Sequence, residues 1–403
     1  MTARWLSVVG IGEGGLDDLS PGARALIDGA EVLVGGARHF AMIDDDGRQR
    51  IAWRAPLRDV VADIKALKGR PVCVLATGDP MFFGIGATLI RQIPISQMTI
   101  IPASSAFSLA CARLGWPMAE VEAISLHARP LGLLNAHLHP GARLLLLSRD
   151  AKTPGKVAKA LVAGGFGASR MWVFEHMGGP RERLIEGTAA AWRARKIADL
   201  NTIAVACVAD VGTTPLASVP GLPDDAFDHD GQITKREVRA ATLAMLAPQP
   251  GQLLWDVGAG SGAIAIEWMR AAPAARAVAI EHDKKRLANI ETNAARLGVP
   301  GLDIVAGKAP AALDGLATPD AVFIGGGAGD GDALFRHCWR ALACGGRLVV
   351  NVVTLEGEAA VLRWRNKVGG DLTRLGVSRA APVGKRAGWQ PLRVVTQFTA
   401  MKS

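Results

Sequence analysis

At 403 residues the chain is too long for one compact core and is sized for two or three domains. Apolar residues at 49% and charged residues at 21% exclude a disordered tail or a coiled coil as the main theme. Apolar runs as short as Leu144–Leu147 exclude a membrane-spanning helix, and a net charge of +9 favours an anionic partner, with plain solubility as the alternative.

The first strand is expected around Val8-Val9-Gly10-Ile11-Gly12, with no apolar segment and cleavage site of the kind that marks a signal peptide. Gly10-Ile11-Gly12-Glu13-Gly14-Gly15 satisfies G-x-G-x-x-G, yet the next strand, Glu31–Val34, ends in Gly35-Gly36 with no acid to hold a ribose. A dinucleotide site is therefore rejected, and the glycines are read as a tight turn facing a ligand. Strands follow at Val72–Leu75 and Thr99–Ile101. The first runs into a second glycine cluster, Thr77-Gly78-Asp79-Pro80-Met81-Phe82-Phe83-Gly84-Ile85-Gly86. Arg143–Leu147 opens a second subdomain that ends near Val208, so a cleft between two subdomains is expected.

Turn formers and acids collect from Thr213 to Asp225, which places the domain boundary near 212, giving domains 1–212 and 213–403. Both halves read as α/β with mostly parallel sheets. Beyond the boundary, Leu253–Val257 runs into Gly258-Ala259-Gly260-Ser261-Gly262 and a helix over Ile264–Met269. The strand Ala277–Ile280 then ends in Glu281, whose carboxylate can accept ribose hydroxyls or cap the following helix. The G-x-G-x-G spacing favours S-adenosylmethionine, which has no pyrophosphate, over a dinucleotide. After a later strand, Gly325–Gly329 leaves room for a broad flat substrate and offers no polar clamp for a nucleobase amine, with a mobile loop as the alternative.

Asp256–Gly262, Glu281, Gly307-Lys308-Ala309-Pro310 and Gly325-Gly326-Gly327 resemble the class I S-adenosylmethionine-dependent methyltransferases. With Pro223-Asp224-Asp225 and Gln232–Arg239, the whole second half is similar to the decarboxylating precorrin methyltransferases of cobalamin synthesis. That resemblance implies a Rossmann-like fold and cofactor contacts at Thr234, Gly258, Ala259, Gly260, Ser261, Gly262, Glu281 and Ala309. The Gly78–Gly86 cluster, the opening Val9–Gly12, Ala103–Phe107 and Ser125–Arg129 resemble the tetrapyrrole methylase family (class III) over most of residues 1–210. There the resemblance implies a two-subdomain fold, with S-adenosylmethionine folded into the cleft against Gly12, Gly78, Asp79 and Met81. Glu13 stands where that family has Pro.

Together the resemblances imply methylation of a polycarboxylate tetrapyrrole at two meso carbons, C5 by residues 1–212 and C15 by residues 213–403. Loss of carbon dioxide from an acetate arm would accompany the second methylation. Arg38, His127 and Arg129 are candidates for the substrate carboxylates, with surface or packing roles as the alternative. His229, Glu267, Glu356 and Glu358 are all candidate proton donors, and nothing in their spacing selects one, so no catalytic residue is assigned. Five scattered cysteines without C-x-x-C pairs, and His137 with His139, suggest neither disulfides nor a metal. A cytoplasmic homo-oligomer is expected, with no membrane partner. Nucleic acid is disfavoured because there is no Tyr and no basic block interleaved with aromatics.

Overall fold

The computed structural model describes residues 4–193, 196–329 and 331–403. The chain divides into two compact units, one of residues 1–131 with 139–213 and one of residues 132–138 with 214–403. Among the described residues no helix is long and apolar enough to cross a membrane.

The first unit holds two five-stranded sheets. Strands β1 (Leu6–Ile11), β2 (Val32–Gly35), β3 (Gln49–Ala52), β4 (Val72–Thr77) and β5 (Met98–Ile101) form a parallel sheet in the order β3-β2-β4-β1-β5. Successive residues of β1 and β4 face opposite sides, so Val8 and Val74 join one apolar cluster and Val9 and Leu75 the other. With both faces covered, β1 and β4 are mainly apolar on either side.

Strands β6 (Glu122–Ser125), β7 (Arg143–Leu147), β8 (Arg170–Glu175), β9 (Arg183–Thr188) and β10 (Asn201–Ala206) form the second sheet in the order β6-β7-β10-β8-β9. Two expectations are corrected here. Only β6 and β7 run parallel, because β10 inserts between β7 and β8 antiparallel to both. Arg143–Leu147 was expected to open the second subdomain, yet β6 comes before it in that sheet, with Ser125 paired to Leu147.

The second unit is built on a seven-stranded sheet. Its strands are β11 (Leu253–Val257), β12 (Arg276–Glu281), β13 (Asp303–Ala306), β14 (Ala321–Ile324), β15 (Arg347–Val352), β16 (Asp371–Leu375) and β19 (Val395–Met401). Strands β17 (Ser378–Val383) and β18 (Arg386–Pro391) form a separate hairpin. The order β13-β12-β11-β14-β15-β19-β16 is parallel except around β19, which is antiparallel to β15 and β16. All five residues of β11 are buried. Leu254 faces one helix layer, while Leu253, Trp255 and Val257 face the other. In an open parallel sheet of this kind the carboxyl ends of the central strands are where a ligand is held.

Candidate active sites in the two units

In the first unit the carboxyl ends of β1, β4 and β5 converge without side chains between them. The Gly78 N–H donates to Ile11 O at 3.1 Å, and the Ala103 N–H donates to Gly78 O at 3.2 Å. A Cβ at Gly10 would lie 1.9 Å from Gly78 O, so only glycine fits there. Gly78 itself turns at φ +60. Nothing lies within 4 Å of a Cβ built on Gly12, which leaves that wall of the site open.

The cleft above this cradle is lined from the first sheet by Gly12, Glu13, Arg38, Thr77 and Gly78, and from the second by Phe174, His176, Met177 and Asn201. The structure thus brings Gly12, Gly78 and Arg38 together. The Asp79 carboxylate accepts the Met81 N–H at 2.8 Å and so braces the turn. His127 and Arg129 are exposed, and Arg129 sits 5.6 Å over the Phe83 ring.

Glu13, set apart in the sequence only as a departure from a family pattern, proves to be a buried ionic centre. One carboxylate oxygen accepts from Arg38 and the other lies 2.7 Å from His176 Nδ1, with an Arg181 nitrogen at 3.7 Å. Burial alone would raise its pKa, but His176 and Arg38 together hold it below the usual carboxylate value. Arg38 also donates to Thr77 Oγ1 at 2.8 Å. Its guanidinium is therefore committed within the cleft wall as well as lining it. Beside it, burial and the Arg38 charge push the His39 imidazole down to about 4, so this ring is neutral at physiological pH.

In the second unit Gly258, Gly260 and Gly262 all take positive φ, at 74, 59 and 76. They carry the backbone out of β11 and into the helix Ala263–Ala271. Gly258 and Ala259 both donate to Ile280 O, at 3.0 and 3.1 Å, which ties the turn to the neighbouring strand. Glu281 ends β12 and is 3% exposed; its Oε2 accepts the Gly260 N–H at 2.9 Å, and its Oε1 accepts the N–H groups of His282 and Asp283 at 2.8 and 3.0 Å. The carboxylate is thus fixed against the glycine turn and carries three backbone donors.

Gly325 donates to Val257 O at 2.9 Å, and a Cβ on Gly258 would meet Gly326 N at 2.9 Å, so the glycine run after β14 passes directly against the turn. Thr234 lies on the segment beside the turn, where a Cβ on Gly260 would be 3.8 Å from Gln232 O. Ser261 is buried, and Ala309 packs at the edge of the core beside β13.

Of the four candidate proton donors, the structure removes Glu267. It is buried, accepts Gly221 and Leu222 N–H groups at 2.6 and 3.0 Å, and pairs with Arg239 at 2.6 Å. Glu358 is engaged by Thr396 and Arg374, and His229 Nδ1 accepts the Gly231 N–H at 2.9 Å. Glu356 alone borders the glycine run, its Cβ 3.5 Å from a Cβ built on Gly329.

Asp256, which belongs to the glycine motif but received no role of its own, is 1% exposed. One oxygen accepts the Ala265 N–H at 3.0 Å and the other has no partner among the described residues. Burial, with the Glu281 charge adding to it, pushes its carboxyl up to about 7.

Residues 6–192 match the family of tetrapyrrole (corrin/porphyrin) methylases, and residues 225–402 match the precorrin methyltransferase domain. A precorrin-6Y C(5,15)-methyltransferase (decarboxylating) from a Sinorhizobium species is 47% identical over 402 residues, covering 99% of this chain and 96% of that protein. Two shorter relatives each correspond to less than half of the chain. A cobalt-precorrin-7 C(5)-methyltransferase of Salmonella typhimurium is 34% identical over 44% of this chain and 88% of its own length. A protein of Pyrobaculum calidifontis named as a probable cobalt-precorrin-6B C(15)-methyltransferase (decarboxylating) is 32% identical over 47% of this chain and 98% of its own. With 47% identity along nearly the whole of the Sinorhizobium protein, and with a tetrapyrrole methylase and a precorrin methyltransferase domain in one chain, this protein belongs to the family of precorrin-6Y C(5,15)-methyltransferases (decarboxylating).

Proposed function

We propose that the chain methylates precorrin-6B at C5 and C15 and removes the carboxyl group of its ring C acetate arm, giving precorrin-8x in cobalamin biosynthesis. The first unit acts at C5. The second acts at C15 and carries out the decarboxylation. The observation that carries this reading is the pair of independent glycine cradles, one at the strand ends of each unit, Gly10 with Gly78 and Gly258 with Gly260. Two separate relatives, each matching under half of this chain, are named for the C5 and the decarboxylating C15 reactions.

Both cradles fit S-adenosylmethionine. Bare backbone allows close approach at Gly12 and Gly260, and the second cradle adds a fixed carboxylate at Glu281. When bound, S-adenosylmethionine supplies a methyl group on a sulfonium that departs as a neutral thioether. A meso C–H carbon of the reduced macrocycle is the nucleophilic end of an enamine; replacing that hydrogen by methyl releases one proton. The protein's task is then chiefly to orient the substrate carbon and exclude water. In the second unit the Gly325–Gly329 run gives the macrocycle space beside the turn, with Glu356 at its border as the nearest of the sequence-derived proton donors. Decarboxylation sends the C–C bonding pair into the conjugated ring, and the resulting carbon takes up one proton.

The division of labour is tested by disabling one cradle at a time in the full chain. Gly258→Val should leave a product with one added methyl and the acetate intact. Gly78→Val should leave carbon dioxide release and one methyl at C15. Loss of both activities from either folded variant would refute the assignment.

A further inference from the structure

The loop that follows the first cradle is closed on itself in a way that forces apolar side chains outward. Asp79 accepts the Met81 N–H at 2.8 Å, Phe82 N–H donates to Asp79 O at 3.3 Å, and Ala87 N–H donates to Pro80 O at 3.2 Å. A Cβ on Gly84 would sit 2.6 Å from Pro80 O, so the loop doubles back tightly there. As a result Phe82 and Phe83 stand 37% and 40% exposed next to the cofactor turn, on a foundation formed by the fully buried Phe107, with ring centroids at 5.3 and 6.0 Å.

Phe83 has φ +57, a left-handed conformation that a bulky residue adopts only where its surroundings impose it. A second non-glycine residue in the same conformation, Ala128 at φ 57, immediately precedes Arg129 and turns it over the Phe83 ring at 5.6 Å. Arg129 has no acidic partner among the described residues, and the neighbouring His127 is also exposed. Two strained backbone positions from separate sheets therefore meet at one exposed aromatic–cation contact.

From this arrangement we infer that Phe82 and Phe83 form a shelf for the flat face of the tetrapyrrole in the first unit, with Arg129 at its edge pairing one peripheral carboxylate. The chemistry is complementary on both counts. A conjugated macrocycle covers exposed aromatic rings, and its acid arms need a cation that is not already neutralised. The guanidinium is held by the ring beneath it, which orients the charge without consuming its hydrogen-bond donors. The shelf rests on the reading that the first unit methylates a polycarboxylate tetrapyrrole, and it names which residues of that unit select the substrate.

The test is an absorbance titration of precorrin-6B into the full chain saturated with S-adenosylhomocysteine, alongside the KM for each methylation by position-resolved NMR with labelled methyl donor. Wild type should titrate as two classes of site. Phe83→Leu and Arg129→Gln should each weaken one class about tenfold and raise the KM for C5 methylation alone. Affinity for S-adenosylhomocysteine and the C15 branch should stay within twofold, with Tm unchanged. The Arg129→Gln effect should shrink as salt is raised.

Equal substrate binding by wild type and both variants, with C5 methylation intact, would overturn the shelf alone. So would a change confined to S-adenosylhomocysteine affinity, or a change in oligomeric mass that marks the rings as a contact between copies. A wild type that neither binds nor methylates precorrin-6B would remove the functional reading and the shelf together.

Discussion

Arg239 is the most consequential single side chain in the second unit. It lies in the helix Arg236–Leu246 and is fully buried. Its Nε donates to Glu267 at 2.6 Å, and its Nη1 donates to Thr234 O at 2.6 Å and Asp224 at 3.2 Å. Nη2 donates to Leu222 O, and the Phe227 ring stacks beneath the guanidinium at 4.9 Å. Glu267 in turn holds Gly221 and Leu222 through their N–H groups. The pair thus clamps the whole entry segment that carries Thr234 against the helix following the glycine turn.

Replacing Arg239 by Met keeps a long apolar side chain but takes the guanidinium away from the buried Glu267 carboxylate, the buried Leu222 carbonyl and the half-buried Thr234 carbonyl. Breaking a buried ion pair from one side costs roughly 3–5 kcal/mol, a large share of the roughly 5–15 kcal/mol that holds a domain together. The doubly apolar variant Arg239→Met with Glu267→Leu removes both charges, so its cost should fall short of the sum of the single costs by about 2 kcal/mol or more. The assay is urea-dependent hydrogen exchange of full-length protein, read by mass spectrometry on peptides covering Ala263–Ala271, which reports this unit separately from the other. The Arg239→Met protein should also bind S-adenosylmethionine more weakly in the second unit, because Thr234 loses its anchor. A single substitution costing under about 1 kcal/mol, or strictly additive costs in the double variant, would refute the clamp.

Two further outcomes follow from geometry already described. Asp256 keeps its proton to about 7 when folded but releases it near 3.8 when unfolded. Between those values the native state binds the extra proton, so stability falls as pH rises. From pH 5 to 8 wild type should lose a few kcal/mol of stability relative to Asp256→Asn, and a stability difference that is flat with pH would contradict this. Gly10→Ala should abolish C5 methylation while leaving carbon dioxide release intact, because its Cβ falls 1.9 Å from the Gly78 carbonyl oxygen and must push the cradle apart. Normal C5 methylation by that variant would show that the strand ends need not touch.

The glycine cradles were readable from sequence because a turn that brings backbone to a ligand leaves few alternatives to glycine. Gly10, Gly78, Gly258 and Gly260 all prove to be positions of positive φ or close backbone approach. The place of Glu281 at the end of its strand was equally readable, since the apolar run Ala277–Ile280 stops there. Strand direction was not readable: β10 is a buried apolar run like its neighbours, and nothing in such a run marks it as antiparallel to both β7 and β8. The roles of Glu13 and Arg239 were hidden for a different reason. His176 lies 163 residues from Glu13, and Glu267 lies 28 from Arg239, so each pairing exists only after the chain has folded. Sequence spacing ranked Glu267 equal to Glu356 as a proton donor; burial and three committed hydrogen bonds separate them.

One chain is expected to perform two methyl transfers and one decarboxylation on a single tetrapyrrole, and this expectation admits a direct test. It is tested most directly by mass spectrometry of precorrin-6B incubated with the full-length protein and S-adenosylmethionine. The product should have gained two methyl groups and lost one carbon dioxide. Unchanged precorrin-6B in the presence of folded protein with S-adenosylmethionine bound would contradict it.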